Sequence, residues 1–362
     1  MIATIHSVLA YAVVLGVLVF FHELGHYAAA RANGVTVEVF SIGFGPSLLS
    51  WKAKSGTVWK LSALPLGGYV KMQGWGEEPA PEGEKAAPGS FAATSLGAKA
   101  MIVAAGPIAN FILAFLVFAG LFMAIGRVEV APIVSKIAAG MPAAAAGLQA
   151  GDKIVEVNGH KIQYFEDIQQ IVGAAPGNTV SISYLRGSTL RDALVTTRSE
   201  TEDGQQIGRL GIEGDEFHIQ RYGPIGAIGA AAAETVNLSG RILNGIWNLV
   251  AHHKGLHDLG GTIRIAQLSG QVAALGPAVF INFIAMISVN LGLVNLLPIP
   301  ILDGGHLLFY AGEAVLRRPI PRRAIEIGMR FGFALILSLF VFTTVNDLAR
   351  LGAVDWVAHL FG

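Results

Sequence analysis

Four long stretches of this chain are apolar on every side, and the segments between them switch to short alternating runs. The apolar stretches cover about 5–30, 98–125, 277–297 and 327–345. A helix needs about 20 apolar residues to cross a bilayer, so each stretch predicts a membrane span. A fifth stretch, about 223–250, is rich in Ala and Gly but holds Glu234, Asn237, Arg241, Asn244 and Asn248, which predicts an interfacial or surface helix. Between the first two spans, 35–42 alternates in polarity. A second strand is expected over 58–63, ended by Pro65 and Gly67-Gly68. The run 75–90 predicts a mobile loop. Over about 128–214, strands are expected at 133–137, 153–157, 180–184 and 192–197, with a helix at 165–172.

Composition agrees with a membrane protein carrying some soluble mass. Of 362 residues 53% are hydrophobic and 14% charged, against about a quarter charged in soluble domains. The formal net charge of zero gives no reason to expect a nucleic-acid partner. With no cysteine, disulfides and thiolate chemistry are excluded, and a metal must be held by His, Asp or Glu. The N-terminal apolar run has no Lys or Arg before Arg31 and contains a His-Glu pair, so it reads as a retained span, not a signal peptide. Arg317, Arg318, Arg322 and Arg323 between spans three and four mark that loop as cytoplasmic. Both termini and the 126–276 region then lie outside.

The chemistry concentrates in His22-Glu23-Leu24-Gly25-His26. On a helix, positions i and i+4 share a face, so His22 and His26 can bind one metal while Glu23 takes a proton from water. Two imidazoles and a carboxylate suit zinc with a position left open. Ionisable groups inside a span point to function by default. Asp303, in Asn295-Leu-Leu-Pro298-Ile-Pro300-Ile-Leu-Asp303-Gly304-Gly305-His306, is the best candidate third ligand; the competing reading is a turn or N-cap residue. Spans one and three cross in the same sense. His22, roughly 25 Å along its helix at about 1.5 Å per residue, and Asp303 both approach the cytoplasmic part of the membrane. Pro298 and Pro300 break the helix there. His306 reads as support or packing. His252, His253 and His257 read as a solvated loop. Gly106-Pro107-Ile-Ala-Asn110 reads as helix packing near the site, not catalysis, in which Asn110 can hydrogen-bond across helices.

These motifs together resemble the site-2 protease family of zinc intramembrane metalloproteases, and within it the regulator of sigma-E protease branch. Ser41-Ile-Gly-Phe-Gly-Pro46, Leu64-Pro-Leu-Gly-Gly-Tyr-Val-Lys71 and Ile287-Ser-Val-Asn-Leu-Gly292 are further similar stretches, so the resemblance covers nearly the whole chain. The segment from Pro142 to Gly159, with Gly151-Asp152 and Asn158-Gly159 turns, resembles a bacterial PDZ domain. The resemblance implies zinc held by His22, His26 and Asp303, with Glu23 activating water. It gives Asn295 and the edge at Gly67, Gly68 and Tyr69 roles in holding substrate. It also implies a PDZ unit that binds a peptide ligand or excludes bulky substrates. Substrates would be single-span membrane proteins, anti-sigma-factor-like proteins and signal-peptide remnants among them. One departure stands out: well-known members of that branch carry two tandem PDZ domains, and one is found here.

The expected fold is thus a multi-pass α-helical inner-membrane protein of about four spans, with a small membrane-associated β-sheet and one extracytoplasmic PDZ-like α/β domain. Its expected segments are 1–34, 35–96, 97–126, 127–214, 215–276, 277–311, 312–326, 327–350 and 351–362. The rival functions are a metal or proton-coupled transporter, with intramembrane His and Asp lining a path, and an inactive PDZ scaffold.

Overall fold

The computed structural model describes residues 2–75, 87–202, 205–215, 217–252 and 260–350. The expected loop at 75–90 falls mostly outside these residues, as do His253, His257 and the tail 351–362. The helices are α1 (Ile2–Ala32), α2 (Leu96–Ala124), α3 (Pro142–Ala145), α4 (Phe165–Gly173), α5 (Pro224–His252), α6 (Thr262–Ala274), α7 (Pro277–Asn295), α8 (Asp303–Leu316) and α9 (Arg322–Arg350). The strands are β1 (Val37–Lys52), β2 (Val58–Met72), β3 (Arg127–Val130), β4 (Lys136–Ile137), β5 (Lys153–Val157), β6 (His160–Lys161), β7 (Thr179–Arg186), β8 (Thr189–Thr196), β9 (Arg198–Glu202), β10 (Gln205–Arg209), β11 (Ile212–Glu213) and β12 (Phe217–Gln220). Contacts divide the chain into two units: 1–120 with 228–246 and 256–362, and 121–227 with 247–255.

In the first unit, four helices among the described residues are long and apolar enough to cross a membrane: Thr4–Ala32, Leu96–Ala124, Pro277–Asn295 and Arg322–Arg350. Val14 and Leu18 of α1, Leu113 of α2 and Ile284 of α7 are buried together, with Phe283 and Leu291 packed against them. Small residues set how closely these helices approach. A Cβ at Gly25 would run into the Ala105 carbonyl, and one at Gly292 would lie 3.0 Å from the Pro107 carbonyl.

Helix α6 was not anticipated, because 262–274 is short and of mixed polarity. Gly270 lies on α1 so closely that a Cβ would collide with Ser7. Its N-terminus is capped from another helix: buried Asp347 of α9 accepts from Gly261 N–H at 3.1 Å and Arg264 N–H at 3.0 Å. These are donors that a helix start leaves without intrahelical partners.

The β1–β2 ribbon overturns the expected strand end at Pro65 and Gly67-Gly68, since β2 continues to Met72. The ribbon bends on itself. Segment 39–42 pairs antiparallel with 68–71 (Ser41 opposite Tyr69), and also lies beside 58–61 in the register Val39↔Val58 to Ile42↔Leu61. Segment 58–61 pairs in turn with 49–52. Pro65 falls at the bend between two paired segments, where no ladder N–H is required. Phe40 stacks on Trp59 at 4.2 Å across two of the paired segments. Val35, Val37 and Met72 are buried with Ala30 of α1 and Ile102 of α2.

The second unit is α/β. Its main sheet has the order β6-β5-β7-β8, and β3 pairs with β12, β4 with β11, and β9 with β10. Ile154 and Val157 of β5, either side of a register shift, and alternate residues of β7 (Val180, Ile182, Tyr184) join Phe165, Ile168 and Val172 of α4 in one core. Asn158 (φ 51°) and Gly159 (φ 79°) make the tight β5–β6 turn, as Asn-Gly favours. Buried Asp152 takes both ends of the Arg186 fork at 2.8 Å and the Gln149 N–H at 2.7 Å. Burial would raise the Asp152 carboxyl, but the Arg186 and Gln149 hydrogen bonds outweigh it and hold it below the usual Asp value.

Candidate metal centre

The centre is built from three places in the first unit. His22 and His26 stand one turn apart on α1, with ring centroids 4.8 Å apart and Nε2 atoms 3.2 Å apart. Asp303 arrives from the far side. Helix α7 ends at Asn295, the chain turns through Pro298 and Pro300, and α8 starts at Asp303. Asp303 Oδ2 lies 3.2 Å from His22 Nε2 and 3.6 Å from His26 Nε2. The return is tight. A Cβ at Gly304 would collide with the Leu296 and Leu297 carbonyls, and one at Gly305 with the Ile299 carbonyl. The two glycines after Asp303 are therefore a steric requirement of the α7–α8 passage. Ile301, two residues before Asp303, has φ 99°, a left-handed backbone that a β-branched residue adopts only under strain.

His22, His26 and Asp303 form the one His/Asp/Glu group of three among the described residues whose ligand atoms converge, all within 4.8 Å of one another. A tetrahedral zinc site with ligands about 2.0–2.1 Å from the metal has ligand atoms about 3.3–3.4 Å apart. The observed 3.2, 3.2 and 3.6 Å fit that triangle. Two imidazoles and one carboxylate are also a zinc donor set that leaves a fourth position open.

The surroundings of the triangle come from α2 and β2. A Cβ at Gly106 would collide with His26 Nε2 and lie 2.9 Å from His22 Cε1, so glycine there leaves the ligands their space. His26 Nδ1–H donates to the Ile102 carbonyl at 2.9 Å, which leaves Nε2 unprotonated. The Asn110 amide lies 3.2 Å from His22 Nδ1. Gly106 and Asn110 thus pack beside the candidate ligands, with close helix approach at Gly106 and a cross-helix contact from Asn110 as expected. The available signal was a buried amide inside an apolar span.

Glu23 is 9% exposed and makes no side-chain hydrogen bond among the described residues. The backbone of Gly68 runs past it, and a Cβ there would fall 2.9 Å from Glu23 Cγ and 2.7 Å from Val19 Cγ1. Gly67 (φ 133°) lies beside Phe44, and Tyr69 stacks on that ring at 5.9 Å. Of the expected substrate residues, Gly68 reaches Glu23 while Gly67 and Tyr69 turn towards Phe44. Asn295 is the last residue of α7 and half-buried; its amide makes no hydrogen bond among the described residues. His306 packs edge-on to Trp75 at 5.7 Å and lies outside the ligand group.

The chain belongs to peptidase family M50, whose profile matches residues 10–339. A protein of Agrobacterium fabrum named as a zinc metalloprotease is 42% identical, over 95% of this chain and 96% of its own. The metalloprotease MmpA of Caulobacter vibrioides is 36% identical, over 96% of both chains. Among solved structures, the PDZ domain of an SdrC-like protein from Listeria monocytogenes matches at 25% identity with a TM-score of 0.20, covering 23% of this chain and 84% of that one. Family membership makes the chain a metalloprotease, and the His22–His26–Asp303 triangle is where a metal fits.

Proposed function

We propose that this chain is a zinc-dependent intramembrane endopeptidase that hydrolyses peptide bonds in the transmembrane segments of single-span membrane proteins, as a step of regulated intramembrane proteolysis. Anti-sigma-factor-like proteins and signal-peptide remnants are its substrate classes. The observation that carries this reading is the seat of the centre. His22, Glu23 and His26 stand on a helix apolar enough to cross a bilayer, and Asp303, the first residue of α8, meets them a short turn past the end of α7, another such helix. The four arginines Arg317, Arg318, Arg322 and Arg323 between α8 and the body of α9 support an inner-membrane topology with that loop inside and the α/β unit and both termini outside.

His22, His26 and Asp303 hold the zinc ion. When bound, zinc supplies Lewis-acid polarisation of the scissile carbonyl and lowers the pKa of water towards neutrality. Glu23 takes the proton from the attacking water and passes it to the departing amine nitrogen. Its low exposure keeps bulk water from competing. A transmembrane helix hides its amides in its own hydrogen bonds, so the substrate must be extended before attack. Among the described residues the 68–72 edge of the ribbon carries no further strand. A substrate strand added there would pass Gly68 and so come alongside Glu23. The α/β unit holds an extended peptide or keeps bulky substrates out.

The test is cleavage of a single-span substrate in detergent by wild type and Glu23→Gln, with bound zinc measured in both. Turnover should fall by at least about 10²–10⁴-fold while zinc stays bound. Equal cleavage by the two proteins would remove Glu23 from its role. Zinc with no cleavage of any single-span substrate by wild type would remove the substrate assignment.

A further inference from the structure

We propose that Asn110 is the residue that fixes the proton of His22: its side-chain oxygen accepts from His22 Nδ1–H, so that Nε2 presents a lone pair to the zinc. This rests on the proposed zinc site. It goes beyond that site in naming which group sets the state of one ligand.

Asn110 is 0% exposed, and its backbone is anchored by the Ser288 hydroxyl, which donates to the Asn110 carbonyl at 2.8 Å. Its side chain has one neighbour of note, His22 Nδ1, 3.2 Å from Nδ2. The Oδ1 end is buried with no hydrogen-bond partner. Both facts count against that placement of the amide. If the amide NH2 donates to Nδ1, the imidazole proton must sit on Nε2. That atom faces His26 Nε2 at 3.2 Å and Asp303 Oδ2 at 3.2 Å, and an Nε2–H cannot ligate a metal. The two ends of a carboxamide have nearly the same shape, and the hydrogen-bond network decides between them. Turning the amide over removes both faults: Oδ1 gains a donor, and Nε2 is left free.

His26 provides an internal comparison. Its Nδ1 lies 2.9 Å from the Ile102 carbonyl, which can only accept, so its proton is on Nδ1. Ile102 and Asn110 stand about two turns apart on α2, facing His26 and His22 one turn apart on α1. One helix thus sets both tautomers, with a backbone oxygen at one ligand and a side-chain oxygen at the other. Only the second can be changed by substitution.

The full chain, labelled with ¹⁵N-histidine and loaded with zinc in detergent, tests this without reference to cleavage. His22 Nδ1 should show the shift and one-bond coupling of a protonated ring nitrogen. An unprotonated Nδ1 would overturn the proposal. Two variants give a second reading by competition with a chromophoric zinc chelator. Asn110→Leu keeps the shape and loses the acceptor, and should weaken zinc binding about 10–100-fold. Asn110→Asp keeps an acceptor and cannot donate, and should bind zinc within a few-fold of wild type. Asp failing as Leu does, or Leu binding as tightly as wild type, would sink the idea. Absence of zinc binding by wild type would instead be a failure of the metal site itself, which the same titration reports separately.

Discussion

A methyl group at position 106 would land on His26 Nε2 and beside His22 Cε1, so Gly106 tests the ligand triangle without touching a ligand. Gly106→Ala should purify folded with its zinc affinity lowered by at least about tenfold, read by chelator competition. Gly68→Ala separates the other half of the site. Its methyl would crowd Glu23 Cγ and the Ser41 carbonyl but no ligand. Cleavage should fall by at least about tenfold while zinc content is unchanged; loss of zinc would place the damage elsewhere. The two histidines and Glu23 could be read directly from the sequence, because five consecutive residues carry the spacing. Asp303 needed its position past a Pro-broken span. Gly106 and Asn110 were legible only as helix-packing residues near the site: nothing in α2 alone says which side chains of α1 its face will meet.

At the scale of elements, the capping of α6 from α9 is a contact that no local pattern announces. Asp347 stands where an N-cap side chain would, but comes from a helix far along the chain. Losing an N-cap acceptor costs about 0.5–2 kcal/mol. Asp347→Ala should therefore lower the Tm of the detergent-solubilised chain by a few degrees, and Asp347→Asn by less; an unchanged Tm in the Ala variant would mean that the cap contributes nothing. The apolar spans were legible because length and the lack of a polar face suffice to mark them. The α7–α8 passage was legible as a break at Pro298 and Pro300, but its reason was not. Gly304 and Gly305 are needed because the chain folds back on the carbonyls of Leu296, Leu297 and Ile299. The β ribbon was read too short for a related reason. Proline and glycine at 65–68 look like a strand end, yet they mark a bend after which 68–71 rejoins 39–42.

At the scale of the whole chain, the two units answer to different physics. In the α/β unit, Asp152 ionises below its usual value of 3.8 because Arg186 and Gln149 favour the charged form over the effect of burial. A carboxyl with a folded pKa below its unfolded one adds stability above the unfolded value and loses it as pH falls through the folded one. Protection of the β5 and β7 amides, taken relative to the intrinsic exchange rate at each pH, should therefore be steady from neutral pH to about pH 4 and fall below, and Asp152→Asn should abolish that acid step while lowering protection at neutral pH. The membrane unit has its own whole-molecule test, in its orientation. The chain has no cysteine, so single cysteines report without background. Ser188→Cys sits at the β7–β8 turn and Arg318→Cys between α8 and α9. The proposed topology puts the first outside the inner membrane and the second inside. In spheroplasts a membrane-impermeant maleimide should label position 188 and spare 318 until the membrane is opened. The reverse pattern would invert the topology, move the ribbon edge and metal centre to the opposite side of the bilayer, and require that substrates present their extended segment from there.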